Sequence, residues 1–139
     1  MKTVLLHERK DSKKGGRGNG NGPASRGARS ETQLAIGAFE QSAIGMALVE
    51  LNGNWIRINA ALCQILGYSE QELLAKTFQS ITHPEDLEPE LKCVRQALKG
   101  DIRSFQMEKR YLHKAGHTVS ALLTVSLVFD SKDKPLFLC

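Results

Sequence analysis

The chain has 139 residues and a mass of 15.3 kDa, which is enough for one ordinary domain. Hydrophobic residues make up 41% and charged residues 24%, so we expect most of it to fold around a core. No stretch approaches the roughly 18 apolar residues of a membrane span, and the first residues form too short an apolar run for a secretory signal. Three cysteines without a CxxC pair argue against a disulfide framework or zinc ribbon and favour a reducing cytoplasm: Cys63, Cys93 and Cys139.

The net charge of +4 is concentrated in the first part of the chain. Residues 1–33 contain eight Lys and Arg against three acidic residues, a balance of +5, whereas the other 106 residues hold 11 basic and 12 acidic groups, a balance of −1. Six of the 12 glycines also lie in residues 1–33. This composition predicts a disordered basic tail or leader. A nucleic-acid-binding arm is an alternative, but the segment lacks aromatic residues that stack on bases.

After the basic segment, the sequence predicts a lead-in helix followed by a β-hairpin. Helical spacing of apolar residues starts near Ser30. Two short β-prone runs follow, joined through Asn52-Gly53, and such a dipeptide is a strong hairpin signal because both residues tolerate positive φ.

Helix signals fill the middle of the sequence. Asn59 is placed to cap a helix over 60–66 that Gly67 ends, and Ser69 opens a second helix through a capping box with Glu72. The segment Thr82-His83-Pro84-Glu85 predicts a second capping box that begins with Thr82.

A longer helix is predicted from Pro89 to about Lys99, with an apolar face that points inward. The residues expected on that face are Leu91, Val94 and Leu98.

Alternating strands end the chain. Phe105, Met107 and Tyr111 alternate with polar residues, and after a turn at Gly116 every second residue over 119–129 is apolar. This period of two marks half-buried antiparallel strands, and a further strand begins at Pro135. Helices segregated from an antiparallel sheet indicate the α+β class.

Six short features occur in a fixed order along the folded part. They are Gly53, Asn59, Gly67-Tyr68-Ser69 before Glu72-Leu73, His83-Pro84-Glu85-Asp86, Lys109-Arg110-Tyr111, and Gly116. In this order and spacing they resemble the PAS sensor-domain family over residues of roughly 35–139. Glu85 departs conservatively from the family's His-Pro-Asp-Asp signature.

The resemblance implies a five-stranded antiparallel sheet with short helices over one face, enclosing a small cavity. The expected domains are therefore a tail over 1–33 and a PAS-like domain over 34–139. Family members continue into an Asp-Ile-Thr signature after the last strand, so we expect that strand to be truncated here. PAS modules usually sit in histidine kinases, cyclic-di-GMP enzymes or transcription regulators. We therefore expect a cytoplasmic sensory or interaction module, coupled to an output domain, that is not itself an enzyme.

Comparison with members of the family that bind flavin or haem restricts which ligands we expect. The adduct-forming Cys of light-sensing members has no counterpart near Phe78–Thr82, and the long helix offers Cys93 where haem-binding members place a His. Non-covalent flavin stays open because Trp55 can stack on a ring. The expected pocket holds no cofactor or a small metabolite, with a flavin- or haem-binding sensor as the alternative. Its expected lining is Asn59, Phe78, Met107, Tyr111, Leu123 and Val125, with helix capping as an equal role for Asn59.

Two further hypotheses concern metal and self-association. His83 is interpreted as a turn residue. His113 and His117 alone provide too few ligands for a metal site. An apolar patch on the outer sheet face, together with the lead-in helix, predicts a homodimer, with a monomer whose lead-in helix folds back over the patch as the alternative. The expected interface residues are Leu34, Phe39, Leu122 and Val128.

Overall fold

The computed structural model describes residues 30–132 and 134–138, the last three by their backbone alone. Most of the basic tail expected over 1–33 therefore lies outside the described residues, and residues 31–33 belong to the first helix. The helices are α1 (Glu31–Gln41), α2 (Ala60–Leu66), α3 (Glu70–Leu74) and α4 (Pro84–Leu98), with a 3₁₀ turn over Gln79–Ile81. The strands are β1 (Ala47–Glu50), β2 (Trp55–Ile58), β3 (Ser104–Leu112), β4 (Thr118–Phe129) and β5 (Pro135–Leu138).

The five strands form one antiparallel sheet in the order β2-β1-β5-β4-β3. Strands β3 and β4 make the longest pair, from Ser104 opposite Ser126 to Leu112 opposite Thr118. The last strand, which we expected to be truncated, pairs with β1 on one side and β4 on the other. The expected α+β class with a five-stranded antiparallel sheet is confirmed.

Three of the predicted helix starts are confirmed by their caps. The side chains of Ser30, Asn59 and Ser69 accept hydrogen bonds from backbone N–H groups in the first turns of α1, α2 and α3. Helix α2 ends at Gly67, whose φ of 77° lies in the left-handed region that favours glycine. These signals are local, so the sequence is sufficient to locate them.

The start of α4 differs from the prediction. Its cap is His83, whose Nδ1 accepts a hydrogen bond from the Glu85 N–H, whereas the Thr82 hydroxyl donates to the Phe78 carbonyl at 2.7 Å. The helix begins at Pro84, where the missing N–H costs nothing, and it continues through Pro89. The predicted start at Pro89 is therefore wrong.

The buried face of α4 also differs from the prediction. Leu98 is 39% exposed, and the buried residues are Glu90, Val94 and Ala97. Spacings of four and three residues place these on one face of the helix. A carboxylate therefore points into the core, which the apolar pattern did not predict.

The core lies between the sheet and helices α2 to α4. The predicted phase of β4 is confirmed, since Leu123, Val125 and Leu127 are buried while their neighbours are more exposed. The apolar side chains of the core form one cluster. Its buried members are Ala47, Val49, Trp55, Ile58, Leu62, Leu66, Leu73, Phe78, Ile81, Val94, Ala97, Tyr111, Leu123, Val125 and Leu127.

Candidate functional site

An ion pair lies inside this apolar core. The Lys109 Nζ is 2.5 Å from the Glu90 Oε2, and the two side chains are 0% and 5% exposed. Taking two charges out of water costs several kcal/mol per ion, about as much as their mutual attraction returns. The pair is therefore a costly arrangement at the centre of the domain.

Alternation along β3 and helical spacing along α4 bring the two charges together. Lys109 lies on the same strand face as Met107 and Tyr111, two residues away on either side, so its side chain enters the core. Glu90 precedes Val94 by four residues on the buried face of α4. The sheet and the helix thus each contribute one partner.

Two aromatic rings complete the surroundings of the ammonium. The Lys109 Nζ lies 4.2 Å from the centre of the Tyr111 ring and 5.2 Å from that of Phe78. The Thr82 hydroxyl lies 3.5 Å from the Glu90 Oε2. Aromatic faces attract a desolvated cation, so the rings partly replace the water that the ammonium has lost.

Burial controls the protonation of this cluster. It raises the pKa of Glu90 and lowers the pKa of Lys109, although each partner's charge opposes that shift in the other. Burial also raises the pKa of Tyr111, with a smaller contribution from the Glu90 carboxylate. All three shifts favour the neutral forms, as expected for groups removed from water.

A second group of charges lies just outside the core. The Asp86 carboxylate accepts hydrogen bonds from the Arg110 backbone N–H at 2.8 Å and from its guanidinium at 2.9 Å, and Glu85 accepts one at 2.8 Å. The guanidinium of Arg110 holds the pKa of Asp86 at about 2. These contacts fix the start of α4 against the edge strand β3.

Four of the predicted pocket residues lie in the buried core, namely Phe78, Tyr111, Leu123 and Val125. Met107 is half-buried on the same strand face as Lys109. The structure brings Phe78 and Tyr111 into contact with the buried ammonium. These two residues are therefore the part of the predicted lining that belongs to the candidate site.

Asn59 has a different position from the rest of the predicted lining. It is 0% exposed, and its amide oxygen accepts from the N–H groups of Met46 and Leu62. Its NH₂ donates to the carbonyls of Phe39 and Ile44. All of its donors are used, so the helix-capping role is confirmed and nothing remains to bind a ligand.

The predicted dimer residues are dispersed between exposed and half-buried positions. Leu34 on α1 is 56% exposed and Leu122 on the outer face of β4 is 36% exposed. Phe39 is half-buried under the Arg57 guanidinium, 5.7 Å from its ring centre, and Val128 packs partly against the core. A groove of about 500 Å³ lies beside Leu122. It is lined by Asp86, Glu108, Lys109, Arg110, Ser120, Ala121 and Leu122.

In the described part of the chain, the histidines are turn and cap residues. The rings of His113 and His117 stack at the β3–β4 turn with centroids 4.2 Å apart. Among the described residues no group of three or more His, Cys, Asp or Glu lies close enough to hold a metal ion. Cys93 is a half-buried free thiol on α4, and Trp55, the residue expected to stack on a flavin, is buried in the core.

The sequence interpretation did not include Glu90 or Lys109 in the site. Both have a detectable signal, because Lys109 lies in the inward row of β3 and Glu90 lies four residues before Val94. A charged residue is usually assigned to the surface, so an apolar pattern alone selects neither of them as a core residue. A charged residue at an inward position on two neighbouring elements is the pattern that would have found the pair.

Comparison with known proteins identifies this architecture. The family model described as PAS fold matches residues 55–139, which is more than half of the chain. The chain belongs to the PAS family. The resemblance carried by the six sequence features is therefore confirmed.

Curated relatives of this PAS domain are signalling proteins. The chain is 49% identical over 110 residues to a probable diguanylate cyclase, DgcE, of Escherichia coli K12, across 79% of this chain and 10% of that protein. It is 28% identical over 97 residues to the sensor histidine kinase TmoS of Ectopseudomonas mendocina, across 70% of this chain and 10% of that protein. The chain thus spans about a tenth of the length of these relatives, and it is similar to one segment of each.

Solved structures share the fold. A PAS domain of a protein from Colwellia psychrerythraea superimposes with a TM-score of 0.72 over 78% of this chain and 92% of that chain, at 19% identity. At this identity the likeness shows the fold alone. Among the described residues, no helix has the length and apolarity needed to cross a membrane.

Proposed function

We propose that this PAS domain is the sensory module of a cytoplasmic signalling protein, that it binds a small ligand in its interior, and that it has no catalysis of its own. The observation that supports this proposal is the ion pair of Lys109 and Glu90 in an otherwise apolar core. A ligand that rearranges the core would shift the populations of two conformations, and an attached domain can respond to that shift.

Energetics favour a functional reason for the pair over a stabilising one. Replacement of a buried ion pair by apolar residues of similar volume is often neutral or stabilising. Stability alone therefore gives no reason to keep Lys109 and Glu90 at 0% and 5% exposure. Buried ionisable groups with shifted pKa values occur more often at functional sites than in ordinary hydrophobic cores.

The relatives suggest the output. Because the curated relatives are a probable diguanylate cyclase and a sensor histidine kinase, we propose an output domain of one of these two kinds. A PAS core that changes its packing on ligand binding would act on that domain through the helix or strand that joins them.

Native mass spectrometry of the purified chain tests the ligand proposal. We expect the mass of the chain plus a small molecule, which is released on denaturation and restores the melting temperature when it is added back. A chain without a retained molecule, whose melting temperature no member of a metabolite panel raises, would contradict ligand sensing.

An absorption spectrum of the same sample separates the cofactor alternative. Flavin or haem gives absorption bands in the visible range. Such bands would show that the domain is a redox or gas sensor and not a metabolite sensor. We expect no such bands.

Self-association is the second proposed role, and the exposed apolar side chains of Leu34 and Leu122 favour it. We propose a homodimer that uses these residues. Light scattering after size exclusion should give about twice the chain mass of 15.3 kDa. Leu34→Glu with Leu122→Glu should give a folded monomer. A two-fold interface contains the same patch from both subunits, so each introduced carboxylate would be present twice and the like charges would repel.

Two exposed polar positions away from the proposed interface provide the control. Thr32→Glu with Ser131→Glu should leave the dimer intact, since Thr32 lies on a different side of α1 from Leu34 and Ser131 lies in the turn after β4. A parent chain that runs at about its single-chain mass would contradict the dimer.

A further inference from the structure

The Lys109 ammonium has more N–H donors than it has acceptor partners around it. It carries three N–H groups, and in the described part of the chain the Glu90 carboxylate is the acceptor found for it. The remaining surroundings are the faces of Phe78 and Tyr111, which offer π density and no lone pairs. A fully buried ammonium with these partners has capacity for another acceptor.

A second buried donor lies in the same apolar cluster. The Trp55 side chain is buried, with 6% of the residue exposed, and its Nε1–H has no hydrogen-bond partner among the described residues. Trp55 and both rings around Lys109 belong to one core cluster. A buried donor without an acceptor costs free energy, and native proteins leave few of them. Trp55 lies on β2 and Lys109 on β3, at opposite edges of the sheet, so a small ligand beside Lys109 would supply acceptors to the ammonium and not to the indole.

We propose that Lys109 is the recognition group for a small carboxylate ligand, and that Glu90 is an internal counter-ion which this ligand replaces. The inference rests on the proposed sensing role and names its ligand class. An external carboxylate offers the ammonium the same bond as Glu90, and because it is not tethered to α4 it can orient both of its oxygens towards the ammonium, whereas Glu90 bonds it through Oε2. The aromatic rings suit the apolar body of such a ligand.

The exchange conserves charge. Burial raises the pKa of Glu90, so once it leaves Lys109 it takes up one proton from solvent and stays inside as a neutral acid. The other titratable groups that face the pair are Tyr111, whose raised pKa keeps it neutral, and Asp86, which Arg110 holds ionised. One anion and one proton therefore enter together.

The position of Glu90 connects this exchange to the domain surface. Glu90 is one helical turn after Asp86 on α4, and Asp86 lines the groove on the outer face with Arg110. Release of Glu90 removes the buried charged contact between α4 and β3 and leaves the contacts of Arg110 with Glu85 and Asp86. The ligand would thus change how tightly α4 holds the edge strand.

Chemical rescue by acetate tests the proposal on the full chain. Glu90→Ala removes the internal carboxylate and leaves space for an external one beside Lys109. We expect acetate to raise the melting temperature of this variant relative to chloride at equal ionic strength, with half-saturation in the millimolar range. The parent chain should need more than tenfold more acetate, because Glu90 competes.

Two controls isolate the ammonium. Acetamide, the neutral counterpart of acetate, should have no effect on Glu90→Ala, and acetate should have none on Glu90→Ala with Lys109→Met. If Glu90→Ala does not fold in chloride, acetate should restore folding where chloride and acetamide do not. Absence of any acetate-specific effect in either form overturns the inference. A neutral molecule retained by the parent chain together with that absence would leave the sensing role intact and remove only the carboxylate class.

Discussion

Two of the ion pairs between helix α4 and strand β3 are neighbours in sequence and opposite in environment. Lys109 and Arg110 are consecutive on β3, while Asp86 and Glu90 are one turn apart on α4. Alternation along the strand sends Lys109 into the core and Arg110 to the outer face. The inner pair is buried, with side chains 0% and 5% exposed, whereas Arg110 and Asp86 are 38% and 18% exposed.

Environment gives the two carboxylates opposite pKa shifts. Hydrogen bonds from Arg110 hold the pKa of Asp86 at about 2, while loss of water raises the pKa of Glu90 above its ordinary value. Each has a cation as partner, so the partner alone does not determine the direction. Solvent access therefore decides whether the carboxylate of an ion pair in this domain favours its charged or its neutral form.

An unpaired charge in the same core should have the largest effect. Leu123→Asp places a carboxylate beside the buried strand row without the cation that Glu90 has, and we expect a loss of roughly 4 kcal/mol or more, enough to unfold a small domain. Thr124→Asp, one residue along on the outer face, is the matched control and should cost far less. Urea unfolding measures both. Equal losses would show that burial does not control the cost of a charge in this sheet.

Removal of one partner from the inner pair should have the next largest effect. Lys109→Met leaves the Glu90 carboxylate buried and unpaired, and we expect a loss of roughly 3–5 kcal/mol in the free energy of unfolding. Lys109→Met with Glu90→Gln removes both charges and should recover most of that loss. A double-mutant cycle by urea unfolding gives the coupling energy. A double variant as unstable as the sum of the single variants would contradict the interpretation as a coupled pair.

The outer pair should have the smallest effect and a distinct pH dependence. Asp86→Asn should lower the melting temperature at neutral pH by only a few degrees, since exposed ion pairs contribute little. The lowered pKa of Asp86 stabilises the folded state above the ordinary value of 3.8, and this contribution is lost as pH falls towards about 2. Melting temperatures from pH 5 to pH 2 should therefore fall less steeply in the variant. Parallel curves for parent and variant would contradict the assigned pKa.

Local signals were sufficient for much of the fold. The helix start near Ser30, the caps Asn59 and Ser69 and the stop at Gly67 depend on groups within a few residues, so the sequence located them correctly. The inward row of β4 follows from its period of two, which holds for any strand that buries one face. The PAS resemblance then supplied the strand count, which the sheet confirms.

The start of α4 was harder to predict because competing local signals occur there. Thr82 and His83 both have side chains able to cap, and the choice depends on where the Thr82 hydroxyl finds a partner. Its acceptor is the Phe78 carbonyl, in a turn that packs against the β1–β2 hairpin. A helix start can thus be decided by a contact with another part of the chain.

The sequence by itself determined the α+β class, the caps of α2 and α3 and the strand phase, because these depend on periodicity and on bonds between near neighbours, and the resemblance of its six motifs indicated the family. Only the tertiary structure decided that Lys109 and Glu90 meet in the core, 19 residues apart along the chain. A charge enters a core only where another element brings its counter-charge. That meeting depends on how α4 lies across the sheet, which no local pattern records.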